Sequence, residues 1–556
     1  MTSRRIAVVA VLVIAVIVVA GAGWAVTGGL RAVTSAAALG TPHFVDVTAQ
    51  TGVDVTYDGP YPFAVGGGVA VLDCDGDGRP DLYLAGGAGP AVLERNDTPP
   101  GGAPHFTPVH DQAADLTDVT GAYPLDIDGD GLTDLAVLRM GGNVLLRGLG
   151  GCRFESANEA LGFDGGDRVT MGFSATWEGT ATLPTLAFGN YVLDADNPDP
   201  DHLCADNVLV RPAADGAHYG APTPLLPSWC AQSLLFSDWD RSGRRDLRIS
   251  NDRQYYSDLS DGQDQLWRIA PGEAPRLYTS DDGWVPVRLN GMGIASYDVN
   301  GDGYPDAYLT SQGANVLQTL LDGPSHPIFR NIALKLGVEA TRPSFGGDPL
   351  PSTSWHPEFA DVNNDGFVDL FVSKGNVGTQ EGYATKDPSD LFIGGPSETF
   401  TSDAEGAGIA SFARARGAAL ADLDGDGLLD LVVANFQDPV RIWRNVGSGT
   451  AAAPVPMGHW IGVKASQPGP NRDAIGAWLD IATGDTTTHH ELTVGGGHVG
   501  GQSLPIHVGL GTSTTARVRV TWPDGEVGPW IDVAADQIVE VARGASTATP
   551  WPSARP

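Results

Sequence analysis

Val71-Leu72-Asp73-Cys74-Asp75-Gly76-Asp77-Gly78-Arg79-Pro80-Asp81-Leu82-Tyr83-Leu84 joins two short apolar segments through an acidic loop, and this stretch decides the fold. Its fullest repeat is Leu420-Ala421-Asp422-Leu423-Asp424-Gly425-Asp426-Gly427-Leu428-Leu429-Asp430-Leu431-Val432-Val433. Loops beginning at Asp126, Asp298 and Asp361 match closely, and a weaker one begins at Asp238, with Ser242 where the third ligand would stand. A further copy is implied near Trp177, where the strand-like Phe173–Trp177 and Leu186–Val192 remain without the aspartates. Most starts lie roughly 50–60 residues apart, a spacing that marks a repeat architecture.

Calcium is a hard cation that takes roughly six to eight oxygens. A nine-residue loop with carboxylates at positions 1, 3, 5 and 9 and a backbone carbonyl at position 7 can wrap one ion, and glycine at position 6 permits the turn. In the first loop these are Asp73, Asp75, Asp77, Arg79 (carbonyl) and Asp81, with Gly78 at the turn. The second offers Asp126, Asp128, Asp130, Leu132 and Asp134, and the fifth Asp298, Asn300, Asp302, Tyr304 and Asp306. The sixth offers Asp361, Asn363, Asp365, Phe367 and Asp369, and the seventh Asp422, Asp424, Asp426, Leu428 and Asp430. About five calcium sites are expected, with a weaker sixth at Asp238, Asp240 and Asp246 of the fourth loop. An EF-hand would need a bidentate Glu at position 12 and a following helix. Position 12 is Leu84, Val137, Leu309, Val372 or Val433, each apolar and strand-like, so that reading fails in every copy. Acidic turns without metal are the plain alternative, but crowded carboxylates repel one another without a cation.

A second element keeps the same period. Phe106, Phe154, Phe329 and Phe400 each begin a strand that precedes a loop, and Phe44-Val45-Asp46-Val47-Thr48 precedes them all. After the last loop and Arg441-Ile442-Trp443-Arg444 no such strand follows. The repeat array is one strand over at its start and one short at its end, which a closed ring explains, because the first strand completes the last sheet and removes exposed edges. The expectation is an all-β chain forming a seven-bladed β-propeller with four strands per blade.

These loops resemble the FG-GAP/VCBS repeats of integrin-type propellers. Asn471-Arg472-Asp473-Ala474-Ile475-Gly476-Ala477, Val508-Gly509-Leu510-Gly511 and Trp522-Pro523-Asp524-Gly525 resemble the ASPIC/UnbV domain. The pairing is similar to the cartilage acidic protein family and its bacterial relatives, and the resemblance covers almost everything after residue 43. The chain departs from the pattern at its third and fourth loops. From His459 the acidic loops stop and alternating strands follow (Trp460–Ala465, Ala477–Ala482, Glu491–Val494, Ile506–Leu510, Val518–Trp522 and Ile538–Val541), which reads as a small β-sandwich. The organisation expected is an N-terminal segment 1–26, a linker 27–42, the propeller 43–447 and the β-domain 456–545.

The chain's 556 residues carry a net charge of −34, which argues against nucleic acid as a partner. Two arginines, Arg4 and Arg5, precede an unbroken apolar run from Ile6 to Val26. The run is long enough to span a membrane with the main body outside the cytoplasm, or it is a signal peptide cleaved near the small residues after Ala20. Either way the body is exported, so the four cysteines are expected in two disulfides. Cys204 and Cys230 both fall on the face opposite the acidic loops, and Cys74 and Cys152 on the loop face of adjacent blades, so those two pairs are expected.

Long segments on the face away from the acidic loops carry Tyr255, Tyr256, Trp355, His356 and Tyr383, and such loops on a rigid scaffold are where binding resides. The expected function is an extracytoplasmic binding, adhesion or scaffold protein with mainly structural calcium, acting on an extracellular protein or glycan. The competing class is a propeller enzyme acting on extracellular glycans, which would need a buried, proton-holding carboxyl on that face. No nucleophile elbow, phosphate loop or metalloprotease helix is present in the sequence. His489, His490, His498 and His507 match no standard metal spacing, and neighbours on a strand point to opposite faces.

Overall fold

The computed structural model describes residues 39–192, 204–252, 263–378, 380–397 and 399–551. The apolar run Ile6–Val26 and the pair Tyr255 and Tyr256 lie outside the described residues. Among the described residues no helix is long and apolar enough to cross a membrane.

Among the described residues, strand pairing gathers the chain up to Asn445 into five antiparallel four-stranded sheets and two further four-stranded units that Val494–Gly495 joins into one sheet. Their innermost strands are Val69–Leu72, Val119–Leu125, Thr170–Thr176, Ala231–Ser237, Gly291–Tyr297, Ser354–Ala360 and Ala415–Ala421. Each inner strand touches the next, and the last touches the first, so the units close into a ring. Both faces of an inner strand are covered by neighbours, which is why Val69–Leu72 and Ala415–Ala421 are buried at every position and lack the alternation of a half-exposed strand. Outermost strands such as Phe106–Val109 bury their first residue and expose the next two. The core lies between units: Val69, Leu82 and Leu84 of the first pack with Ala419, Val432 and Ile442 of the last.

Phe44–Asp46 completes the last unit, pairing antiparallel with Asp438–Asn445 in the register Phe44↔Asn445, Val45↔Arg444 and Asp46↔Trp443. The ring is thus closed by strands from opposite ends of the repeat array. Both expected disulfides form. Cys74–Cys152 ties the first unit to the second, and Cys204–Cys230 ties the third to the fourth.

The C-terminal domain is a sandwich of two four-stranded sheets. In one, His459–Ser466 runs parallel to Gln537–Ala542 and antiparallel to Ile506–Gly511. In the other, Trp478–Thr483 lies between Thr486–Glu491 and Thr515–Thr521. Ile461 and Val463 of the first sheet and Leu479, Val518 and Trp522 of the second share one core.

One expected strand is wrong. The segment Glu491–Val494 is not a continuous sandwich strand: pairing in the sandwich ends at Glu491, and Val494–Gly495 joins the ring. Val494 and Gly495 pair with Ala175 and Ser174 of the third unit, and Gly495 also faces Leu235 of the fourth. The glycine-rich segment that follows lies against the inner strands. Gly497 exchanges backbone hydrogen bonds with Ile294, Val71 N donates to Gly501 O at 3.0 Å, and Tyr123 OH donates to Gly496 O at 3.0 Å. His498 is fully buried, 3.0 Å from Val65 O through Nε2 and 5.0 Å from the Trp355 ring. The C-terminal domain therefore plugs the middle of the ring with its own loop. Only glycine permits this approach: a Cβ on Gly121 would lie 1.7 Å from Val499 O, and one on Gly500 would lie 2.1 Å from Val69 O.

Candidate metal loops

Six loops share one backbone conformation. Position 4 is left-handed throughout, at Gly76, Gly129, Arg241, Gly301, Asn364 and Gly425, and so is the glycine at position 6. The position-6 amide donates to the position-1 carboxylate in each, at 3.0 Å for Gly78 to Asp73 and 2.7 Å for Gly366 to Asp361. The position-9 carboxylate ties the loop to its sheet. Asp81 accepts from Cys74 N at 2.8 Å and Asn96 N at 2.7 Å, and Asp134 accepts from Ile127 N and Gly148 N at 2.8 and 2.7 Å. The position-5 carboxylate accepts from the position-7 amide, as in Asp77 from Arg79 at 2.9 Å and Asp365 from Phe367 at 2.9 Å. Asn300 and Asn363 use their amide oxygens as the aspartates do, accepting from Asp302 N at 2.8 Å and Asp365 N at 3.0 Å.

The side chains converge. In the first, second and seventh loops, ligand oxygens of Asp73, Asp75 and Asp81, of Asp126, Asp128 and Asp134, and of Asp422, Asp424 and Asp426 lie within 4.8 Å of one another. The donor set is all oxygen, as a hard cation requires. Every loop leads into a strand, and the residues at position 12, Leu84, Val137, Leu309, Val372 and Val433, are buried there. Burial pushes the carboxyls of Asp81 and Asp134 up to about 8 and those of Asp306 and Asp422 up to about 7, with neighbouring loop aspartates adding to the rise. Groups so displaced are held away from their charged form until a cation balances them.

The loops differ in what balances them. Arg147 lies 2.8 Å from Asp128 and 3.0 Å from Asp130 of the second loop, and Arg444 pairs with Asp424 and Asp426 of the seventh. The sixth loop has no such partner. Asp361 is 8% exposed, Asn363 and Asp365 0% and Asp369 1%, and among the described residues no basic side chain reaches any of them. Burial drives both Asp361 and Asp369 well above the usual carboxylate range.

The C-terminal domain covers the loop face of the ring. His507 Nε2 is 2.7 Å from Asn364 Oδ1, Gly511 N donates to Asn364 O at 2.9 Å, and the Trp460 indole packs on Gly427. Glu491 accepts from Ser237 Oγ at 2.7 Å and from Asp238 N at 2.8 Å. A cavity of about 420 Å³ remains between the two, lined by Tyr297, Glu358, Trp460, Trp478, His490 and Leu504 among others.

The opposite face differs from expectation. Trp355 is not an exposed loop aromatic: it is the second residue of an inner strand and is 0% exposed, its indole N–H donating to Gly375 O at 2.7 Å. His356 is buried in the same strand. Both lie inside the strand because the inner strand of the sixth unit begins at Ser354, within the segment expected to be a loop. Tyr383 remains in a connecting segment. Sequence reasoning missed the plug, although the run Gly495-Gly496-Gly497-His498-Val499-Gly500-Gly501 signals close backbone approach.

A closed ring of four-stranded units with oxygen-rich loops, capped by a sandwich, defines an all-β propeller protein. The ASPIC and UnbV family model matches residues 467–548, and the FG-GAP-like repeat model matches residues 73–137 and 390–486, so the chain carries both elements. It is 26% identical to cartilage acidic protein 1 of Homo sapiens over 251 residues, covering 43% of this chain and 34% of that protein. It is 24% identical to cartilage acidic protein 1 of Xenopus tropicalis over 257 residues, covering 44% and 36%. The chain thus spans about a third of the length of these relatives. Among solved structures, BBS1N in complex with ARL6DN aligns at a TM-score of 0.40 with 10% identity, covering 73% of this chain and 98% of that one. Saccharomyces cerevisiae Sqt1 aligns at 0.36 with 10% identity and the same coverage.

Proposed function

We propose that this chain is an extracytoplasmic binding or scaffold protein whose propeller is stabilised by calcium. The sixth loop carries the reading. Three carboxylates, Asp361, Asp365 and Asp369, are buried together with no basic partner among the described residues. Uncompensated buried charge is costly, and such groups pair, bind metal or stay protonated. An oxygen-only set fits calcium, and Asp361, Asn363, Asp365, Asp369 and the Phe367 carbonyl would hold it. The ion would supply the positive charge that lets the carboxylates stay ionised, stapling two strands together. Extracellular calcium modules bind with dissociation constants of roughly 0.1–1 mM, so each site adds about 0.4–1.4 kcal/mol at millimolar calcium. Disulfides joining neighbouring units support export, and the likeness to cartilage acidic protein 1 is in keeping with it. With the loop face covered, the opposite face is the one offered to an extracellular protein or glycan.

Melting the purified protein in millimolar calcium and in chelator, with metal analysis of both samples, tests the calcium reading. A clear rise with calcium supports it. Equal melting temperatures with no metal bound would sink it. The binding role is tested by calcium-dependent capture from panels of surface glycans and extracellular proteins.

A second reading, a glycan-active enzyme, has one observation in its favour. Asp252, at the strand end away from the acidic loops, is buried, accepts from Tyr191 OH at 3.1 Å, and is pushed up by burial to about 7. Turnover of a polysaccharide lost in Asp252→Asn would promote this reading; no turnover by the wild type would remove it.

A further inference from the structure

The fourth loop has the backbone of its siblings but not their chemistry. Arg241 takes the left-handed position at φ 55°, and Gly243 N donates to Asp238 Oδ2 at 3.0 Å, as in the other five. Ser242 removes the carboxylate at position 5. Position 7, which elsewhere would lend only its carbonyl, is Arg244, and its side chain folds back over its own loop. Arg244 Nε lies 2.9 Å from Asp246 Oδ1, and Nη2 lies 3.1 Å from Asp246 Oδ2 and 3.4 Å from Asp240 Oδ2. The planar fork meets Asp246 with two bonds, a geometry a point charge cannot reproduce. The Tyr278 hydroxyl and the Trp239 indole N–H also donate to Asp246 Oδ2, at 2.8 and 2.9 Å.

The first loop supplies the contrast, because it too has an arginine at position 7. Arg79 turns outward onto Asp77 alone, and Asp73, Asp75 and Asp81 still converge. Arg147 and Arg444 approach their loops from a neighbouring strand, and the position-9 carboxylates Asp134 and Asp430 there accept backbone amides, whereas Asp246 accepts the guanidinium as well as the Ile269 amide, the latter at 3.1 Å. Only in the fourth loop does a guanidinium claim position 9.

We propose that Arg244 is the resident cation of the fourth loop, standing where the other loops take calcium, and that this loop is a metal-independent anchor for the C-terminal domain. Two of its three carboxylates are committed to the guanidinium, and a divalent ion beside it would meet a like charge. The loop also carries more of the docking than its siblings. Arg241 stacks over Trp478 at 4.0 Å, Arg245 donates to Pro523 O at 3.1 Å, and Asp238 N holds Glu491. These contacts depend on the loop keeping its shape, which a tethered cation guarantees at any calcium concentration.

The test counts calcium on the full chain after equilibrium dialysis at millimolar calcium. Asp240→Asn is expected to leave the count unchanged, and a loss of one equivalent would overturn the proposal. Ser242→Asp combined with Arg244→Leu restores the ligand set and is expected to gain one equivalent; a folded double variant with no gain would also overturn it. In chelator, Arg244→Leu is expected to melt below the wild type, with Arg244→Lys between them because it keeps the charge and loses the fork. An Arg244→Leu variant melting with the wild type in chelator refutes the idea independently. This arm does not rest on the calcium reading of the other five loops: a wild type that binds no calcium would end that reading and leave the chelator comparison to decide Arg244.

Discussion

Replacing Gly121 by alanine tests whether the plug holds the ring together. The new Cβ would sit 1.7 Å from Val499 O and 2.7 Å from its carbonyl carbon, so backbone must move. Val499 has little room to yield, because a Cβ on Gly68, just before the first inner strand, would find the same oxygen at 1.9 Å, and Val499 is itself left-handed at φ 49°. The plug must retreat from the ring. Overpacking of this kind costs roughly 1–3 kcal/mol. Retreat also breaks the paired bonds between Gly497 and Ile294 and the bond from Val71 N to Gly501 O, each contributing about 1 kcal/mol. The expected loss is about 4–6 kcal/mol, or roughly 4–5 °C in melting temperature for a chain of this size. Scanning calorimetry reads the shift, and limited proteolysis reads the freed segment as new cleavage between residues 493 and 504. Gly378→Ala is the control, since a Cβ there meets nothing within 4 Å. A Gly121→Ala protein that melts within about 1 °C of the wild type, with no new cleavage, would refute the claim that the plug is seated against Gly121.

Other outcomes follow from the same geometry. In chelator, Asp81 and Asp134 titrate near 8 and Asp306 near 7 when folded, above their unfolded values, so the folded state binds more protons. Stability without calcium is therefore present below the ordinary carboxylate range and lost as pH rises from there through about 8, and the gain on adding calcium should grow over that window; a flat chelator profile would contradict it. Because the sixth loop is sealed by His507, Gly511 and the Leu39 amide, chelator should strip its ion more slowly than those of the first and second loops, whose position-5 aspartates are exposed. Stopped-flow chelation should show two phases, the slow one lost in Asp365→Asn. Arg416 is fully buried, has no acidic partner among the described residues, and donates to the carbonyls of Ala64, Ala415, Asn376 and Val377. Arg416→Met should cost about 3–5 kcal/mol by leaving those acceptors unpaired, measured by denaturant unfolding.

Much of the ring was legible in the chain because each repeat spells its own local structure. Asp73 to Asp81 prescribes a turn between two strands wherever it recurs, and the aspartate spacing follows from loop geometry that needs no distant partner. The surplus strand at Phe44 was legible for the same reason, as one more copy of a local element without its neighbours. The Cys74–Cys152 and Cys204–Cys230 pairs also followed, since each pair shares a face once the repeat is laid around a ring.

Tertiary structure decided what depends on contact between distant segments. Trp355 reads as a loop aromatic, yet it is buried because His498, more than a hundred residues later, fills the space beside it. Arg244 stands at the same loop position as Arg79, and only the fold, which sets Asp240, Asp246 and the Tyr278 hydroxyl around it, turns its guanidinium inward. The glycine-rich run from Gly495 to Gly501 does not name its partners in the sequence, and its bare backbone is what lets the inner strands close around it. Local geometry repeats and can be read from one copy; the path of a loop through the middle of a ring is set by every strand it must pass, and no single stretch of sequence contains that.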